Sequence, residues 1–248
     1  MKTVVLRPIT VILMMVSFFS SQCVAETFRV MLHTGSFPPY FFAQGDTKSG
    51  TIRDIFGAIA QETGDHFEYI RVPFKRALHQ FEAGEVDIEP MTNPAYRGVS
   101  SVPGIYSIPY TVAEEIILFN KNHYTPVDSP EDLLGQSIGV VNGYYYPKYS
   151  PYFEDGRIRA LPFENENKLV QLLLAERLAQ VLINKDFAQY EIQKQQLADQ
   201  LTVGKPYHVL DMMIRFHPNK QEAVPRFNQA IKKLLKDGTI ERIYKKYR

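Results

Sequence analysis

Arg97 closes the stretch Glu85-Val86-Asp87-Ile88-Glu89-Pro90-Met91-Thr92-Asn93-Pro94-Ala95-Tyr96-Arg97, and Pro109-Tyr110 follows downstream. A short apolar run that enters a polar, proline-interrupted loop and ends in a guanidinium places a fixed, bidentate anion clamp at the mouth of a strand. An exposed surface arginine is the ordinary alternative, so the clamp has to be judged with its surroundings. Thr92 and Asn93 offer a hydroxyl and an amide to the same ligand, or cap the loop. Carboxylic acids that could serve as a cleft acid are Glu89, Glu115 and Asp186, none of them singled out by spacing. The six histidines are scattered without metal-ligand spacing, and neither a Gly-x-Ser-x-Gly elbow nor a phosphate loop is present.

The elements that must position these residues alternate between strand and helix patterns, which points to an α/β protein. Phe28 to Leu32 reads as a strand running into the turn Gly35-Ser36-Phe37-Pro38-Pro39-Tyr40. Ile52, Ile55, Phe56, Ile59 and Ala60 recur at helical spacing up to Gly64. Phe67 to Val72 is a strand, Pro73 opens a helix from Lys75 to Ala83, and Val86 to Ile88 is a short strand leading to the Arg97 loop. Further on, Glu115 to Phe119 and Ser137 to Val141 read as strands, the latter running into Asn142-Gly143-Tyr144. Ser129-Pro130-Glu131-Asp132 has the form of a helix start. Asn165 to Arg177 is helical, Gln180 to Ile183 a strand and Lys185 to Leu197 a helix. Met212 to Phe216 is a strand, and a helix from Gln221 to Asp237 stops at Gly238, with a last short helix from about Thr239.

Lys2 and Arg7 make a basic start, Ile9 to Phe19 is almost wholly apolar, and Cys23-Val24-Ala25 has small residues at the spacing of a cleavage site. Residues 1–25 therefore read as a cleavable export signal with cleavage after Ala25. The apolar run is shorter than the roughly 20 residues that span a bilayer. Removing the signal removes the single cysteine, so the mature chain relies on a hydrophobic core rather than on disulfides. The formal net charge of +1, with both signs interspersed, gives no electrostatic reason to bind nucleic acid or lipid headgroups. A soluble periplasmic protein is expected.

In order along the chain, the aromatic-proline turn, Gly50 to Asp54, Arg76-Ala77-Leu78 with Gly84-Glu85-Val86-Asp87, the Arg97 loop and Pro109-Tyr110 resemble the periplasmic solute-binding proteins of family 3. These serve uptake of polar amino acids. Asp132 to Val140 with Gly143, and Phe227-Asn228-Gln229-Ala230 with Asp237-Gly238-Thr239-Ile240, continue the resemblance to the C-terminus. It implies a two-lobed periplasmic binding protein type II fold, each lobe a central sheet flanked by helices, with two hinge crossings. The first lobe would take residues 26–112 and 210–248, and the second 113–209. It also implies binding of a small anionic or zwitterionic solute by a monomer, without a cofactor or a catalytic step, and delivery to a membrane permease. A sensor that presents its ligand to a receptor, and a cleft dehydratase on the same fold, are the alternatives.

By the same resemblance Arg97 grips the ligand's carboxylate, while Phe37 and Phe74 are aromatic walls, with Tyr40 behind the turn. Asn142, Gly143 and Tyr144 supply the second lobe's contacts, partly through free backbone N–H groups. Arg76 reads as a solvated helix-face residue. Where amino-acid binders carry an aspartate for the ligand's ammonium this chain has Asn184, with Asp186 two residues on. The loop before Arg97 is short, and Tyr144-Tyr145-Tyr146 replaces small hydroxyl residues. A carboxylate-bearing ligand is thus expected, with a standard α-amino acid placed in doubt.

Overall fold

A computed structural model describes residues 25–247. The export signal expected over 1–25 lies outside the described residues apart from Ala25. The chain opens with strands β1 (Thr27–His33), β2 (His66–Val72) and β3 (Ile88–Thr92), and helices α1 (Thr51–Thr63) and α2 (Phe74–Glu82). Strands β4 (Ile105–Tyr106) and β5 (Thr111–Asn120) lead into β6 (Ser137–Val141), helix α3 (Ser150–Glu154), β7 (Arg159–Phe163), α4 (Glu166–Leu174), β8 (Gln180–Asn184) and α5 (Lys185–Gln195). Strand β9 (Leu201–Phe216) and helices α6 (Val224–Lys236) and α7 (Thr239–Lys245) follow.

Ile52, Ile55, Phe56 and Ile59 form one buried stripe along α1, the spacing that turns a helix toward a sheet. Gly64 ends that helix in the left-handed region at φ 78°, its N–H donating to Ala60 O at 2.8 Å. On α6 the same logic buries Phe227, Ala230, Ile231 and Leu234. Phe227 meets Phe28 of β1 edge-on at 5.3 Å and Phe216 of β9 at 4.9 Å. The fold is therefore the expected α/β one, helices flanking a sheet.

The strand order is β2-β1-β3-β9-β5-β8-β6-β7, with β4 also pairing with β9. Strand β1 runs parallel to β2 and β3, and β6 parallel to β7 and β8. Strands β5 and β9 lie antiparallel to each other between these two sets, paired from Thr111 opposite Met212 to Asn120 opposite Leu201 with register shifts on either side of Ile116. The C-terminal end of β9 continues into the first set, where Phe216 lies opposite Ile88 and Arg215 opposite Glu89. A two-stranded ribbon thus carries the chain from one half of the molecule to the other.

Several elements differ from their sequence expectation. Strand β9 covers Leu201–Phe216 where the sequence pattern marks only 212–216, and it includes Gly204 and Pro206. The ladder tolerates Pro206 beside a register shift next to Ile116. Strand β7 holds Pro162 and is found at the end of the strand order, where a missing N–H leaves no neighbour unpaired. The short β3 lies over Ile88–Thr92 rather than 86–88, which brings Glu89 into the ladder. The helix start at Ser129 produces one 3-10 turn, Pro130–Leu133, capped by Ser129 and Asp132.

The turn that carries Phe37 depends on Gly50. This residue has φ 92°, and a Cβ there would stand 2.6 Å from Phe41 Cα. Gly50→Ala should therefore cost about 2–3 kcal/mol in urea denaturation. Gly57→Ala, within α1 and facing open space, should stabilise by roughly 0.5–1 kcal/mol.

Candidate functional site

The two halves face each other across a cleft of about 960 Å3, including its open mouth. The first half contributes Phe37 and Phe41 from the turn after β1, Phe74 from the start of α2, Thr92 from the end of β3, and Tyr96 and Arg97 from the 3-10 turn Pro94–Arg97. The second contributes Glu115 from β5, Tyr144 and Tyr146 from the turn after β6, Glu166 from the first turn of α4, Asn184 from the end of β8, and Tyr207 from β9. Contacts cross the gap directly. Phe74 and Tyr144 meet edge-on at 4.6 Å, Phe37 stacks on Phe187 at 5.3 Å, and Asn167 Nδ2 donates to Ser36 O at 3.0 Å. The Tyr40 hydroxyl shares its single proton between Asn184 Oδ1 at 3.2 Å and Asp186 Oδ2 at 3.0 Å. The halves are closed on one another.

Arg97 reaches the cleft already held. Its Nε donates to Glu89 Oε2 at 3.0 Å, its Nη2 to Glu89 Oε1, and its Nη1 to Tyr96 O at 2.8 Å. Glu89 is almost wholly buried and also accepts from Arg215 Nη1 at 3.1 Å. Arg215 in turn donates through Nη2 to Ser100 Oγ and Val102 O. Burial by itself would raise the Glu89 pKa, but the charges and hydrogen bonds of Arg97 and Arg215 outweigh it and hold the carboxyl below its ordinary value. Two guanidinium groups around one carboxylate leave a formal charge of +1 on this wall. The side of the Arg97 guanidinium that forks onto Glu89 is therefore spent on the protein. Of its five N–H donors, one on Nη1 and one on Nη2 have no partner among the described residues. The Phe74 ring lies 5.4 Å from its Cζ.

The second half answers with carboxyls. Glu115 is tightly surrounded by protein although solvent reaches part of it through the cleft, and this desolvation pushes its pKa up to about 7. Hydrogen bonds from Asn184 and Tyr96 oppose the rise, the tyrosine hydroxyl donating at 3.2 Å. Glu166 is only 2% exposed, and burial likewise pushes it up to about 7. Its Oε1 accepts from Tyr144 Oη at 2.7 Å, whereas its Oε2 is buried without a hydrogen-bond partner among the described residues. His33 also lines the cleft, and burial lowers its pKa to about 4, so it is neutral at neutral pH.

Phe37, Phe74, Thr92, Arg97, Tyr144 and Asn184 all line the cleft. Thr92 Oγ1 is buried and unpartnered among the described residues. Asn93 does not line it: its Oδ1 accepts from Ala95 N–H at 2.9 Å and its Nδ2 donates to Asp211 O at 2.7 Å, a loop cap. Asn142 and Gly143 are exposed and also outside the lining. Two of the turn's N–H groups have partners in the protein, Asn142 N–H on Phe163 O at 2.7 Å and Tyr144 N–H on Val141 O at 3.2 Å. Asn184 caps α5 by accepting from Phe187 N–H at 3.2 Å. Tyr40 is buried behind Phe37 and reaches across the gap. Sequence reading did not single out Glu166, Tyr146 or Tyr207. The one signal for Glu166 is that it follows the helix cap Asn165, which fixes it at the mouth of α4.

Two α/β halves joined by an antiparallel ribbon and closed on a cleft define a two-lobed binding protein of type II architecture. The chain belongs to the bacterial extracellular solute-binding proteins, family 3, whose family model matches residues 30–248. In fold it is similar to an ancestral arginine-binding protein bound to arginine, at 24% identity over 89% of this chain and 97% of that one, TM-score 0.75. It is also similar to a histidine kinase sensor domain with similarity to periplasmic binding proteins, at 19% identity over 89% and 95%, TM-score 0.77. A third is an ancestral amino acid-binding protein that is a precursor of cyclohexadienyl dehydratase, at 20% identity over 89% and 95%, TM-score 0.71. Among the described residues no helix is long and apolar enough to cross a membrane, and no cluster of three or more His, Cys, Asp or Glu could hold a metal ion.

The buried Glu166 carboxyl has a measurable consequence without any ligand. A carboxyl raised to about 7 in the folded state binds its proton more tightly than the unfolded chain does. Its contribution is complete below the unfolded value near 4.5 and is lost as pH rises toward 7. Glu166→Gln removes that loss. Its stability relative to the parent protein should climb by about 1.4 kcal/mol per pH unit across this window. Urea titrations of both proteins from pH 4.5 to 7.5 check this, and the contribution of His33 cancels in the comparison. A flat difference contradicts the raised carboxyl.

Proposed function

We propose that this protein captures a small, carboxylate-bearing polar solute, an amino acid or a related compound, in the cleft and hands it to a partner in the membrane. The observation that carries this reading is the polarity of the cleft, a wall of net positive charge around Arg97 facing carboxyls and tyrosines. A solute that loses its hydration shell on entry needs a fixed partner for each charge. The two free N–H groups of Arg97 and the unpartnered Thr92 hydroxyl are placed to receive a carboxylate, and Phe37, Phe74 and Tyr144 supply flat apolar walls. Residues 26–112 with 210–248 move as one lobe and 113–209 as the other, with the β5–β9 ribbon absorbing the rotation. The open form admits the solute from the periplasm after export, and contacts from both lobes favour the closed form. An ABC-type permease or a sensor receptor then reads the closed shape. In this reading the protein acts as a monomer with no chemical step.

A dehydratase reading has one observation in its favour, the raised carboxyl of Glu115, a group that can hold a proton near neutral pH. Glu89 is unsuited to that role because two arginines keep it ionised. Release of product from a bound candidate solute would favour this second reading.

A thermal-shift screen of amino acids, keto acids, dicarboxylates, polyamines and small peptides tests the first. A solute at about 100 times its dissociation constant should stabilise the protein by about 2.7 kcal/mol. Arg97→Ala should abolish the response to any carboxylate, and Arg97→Lys, which keeps the charge but loses the planar fork, should weaken it. Arg53, stacked on Tyr69 at 4.6 Å away from the cleft lining, should be replaceable by Ala without effect. Full affinity in both Arg97 variants would remove the assignment.

A further inference from the structure

We propose that the wall formed by Glu115 and Glu166 is a subsite for a cationic nitrogen, and that the solutes of this protein carry a protonated amine seated there under tyrosine rings. The inference rests on the carboxylate reading above and names the other end of the molecule that reading requires. It begins from a vacancy in hydrogen bonding. Glu166 Oε2 is buried, lines the cleft and has no partner among the described residues, although its other oxygen is held by Tyr144 at 2.7 Å. A buried carboxylate oxygen left unsatisfied is costly.

Two features decide what satisfies it. First, the protein groups on these carboxyls are donors: the Tyr144 hydroxyl on Glu166, and the Tyr96 hydroxyl and Asn184 amide on Glu115. Donors favour the ionised carboxylate, so burial is the force working against it, and a nearby positive charge would restore it. Second, the surroundings are aromatic. Tyr96, Tyr144, Tyr146 and Tyr207 all line this end of the cleft, and their ring faces attract a desolvated cation. Burial keeps these hydroxyls protonated, with the nearby carboxyls raising their pKa further, so they remain donors and do not compete as anions. An anion at this end would meet two carboxyls. A neutral group would leave them with no counter-charge.

The arrangement also accounts for Asn184. Glu115 lies directly opposite Asn184 in the β5–β8 ladder. The negative charge missing from the end of β8 is present one strand away, and Asn184 serves as a neutral bridge between Glu115 and the Tyr40 hydroxyl. The cation is moved from the end of β8 toward β5 and α4. That favours an amine at a different distance from the carboxylate than in a standard α-amino acid.

Dissociation constants measured by calorimetry for matched solutes on the unaltered protein test this. Each pair differs only in the amine: ω-amino acids against the unsubstituted acids, and α-amino acids against 2-hydroxy acids, with dicarboxylates and diamines alongside. The amine-bearing member should bind at least tenfold tighter. Glu166→Gln and Glu115→Gln should each shrink that preference to under threefold, while Arg97→Ala weakens both members of a pair alike. The proposal is overturned if dicarboxylates or amine-free acids bind as tightly as their amines, if no amine in the panel binds, or if the Gln variants keep the preference. Because the paired comparison uses the unaltered protein, a variant that fails to fold leaves it decisive. Amino acids whose binding is indifferent to Arg97→Ala, with carboxylate-free diamines binding as tightly, would instead sink the carboxylate reading and leave the amine subsite standing.

Discussion

The cleft depends on one buried carboxylate. Glu89 sits in the ladder between β3 and β9 and is shared by two arginines, one from across the ladder and one from the loop beyond. Without it, Arg97 and Arg215 would face each other in a poorly solvated space, and like charges at that range repel strongly. With it, the Arg97 side chain has a fixed direction before any solute arrives. The residual charge of the cluster is the only part left for the solute, and that part is pre-oriented. Breaking such a buried group costs more than forming it contributes, because the partner charge is left uncompensated.

The opposite wall follows a different rule. There the charge is not held ionised but is kept near the point of balance by burial against donor hydrogen bonds. A cleft with one locked charge and one poised pair is asymmetric in what it asks of a ligand. Its first half fixes position. Its second half responds to what enters.

Much of this was legible in the chain. The turn from Phe37 to Tyr40, the α1 stripe and the Arg97 loop come from local patterns that a sequence carries whole: a proline pair, a helical spacing, a short run ending in a guanidinium. What could not be read are the relations that form only across the ladder. Glu89 looks like any acid in a short strand until Arg215, far along the chain, is placed opposite it. Glu115 and Glu166 belong to separate elements, and neither has a local pattern that separates it from a solvated acid. Asn142 and Tyr144 show the converse, since their apparently free N–H groups are filled by the neighbouring strand and by a preceding carbonyl. Strand β9 was half hidden by Gly204 and Pro206, whose local preference yields to pairing with β5 along its length.

Tyr40 adds a property that lies outside the solute's reach. Its ring is packed behind Phe37, and its hydroxyl fastens the first half to Asn184 and Asp186 of the second. Such a latch biases the empty molecule toward shutting, and the apparent affinity for any solute scales with the fraction already competent to hold it. Selection could therefore retune how tightly the protein grips its cargo, and how readily it lets go, by changing a tyrosine that does not line the cleft.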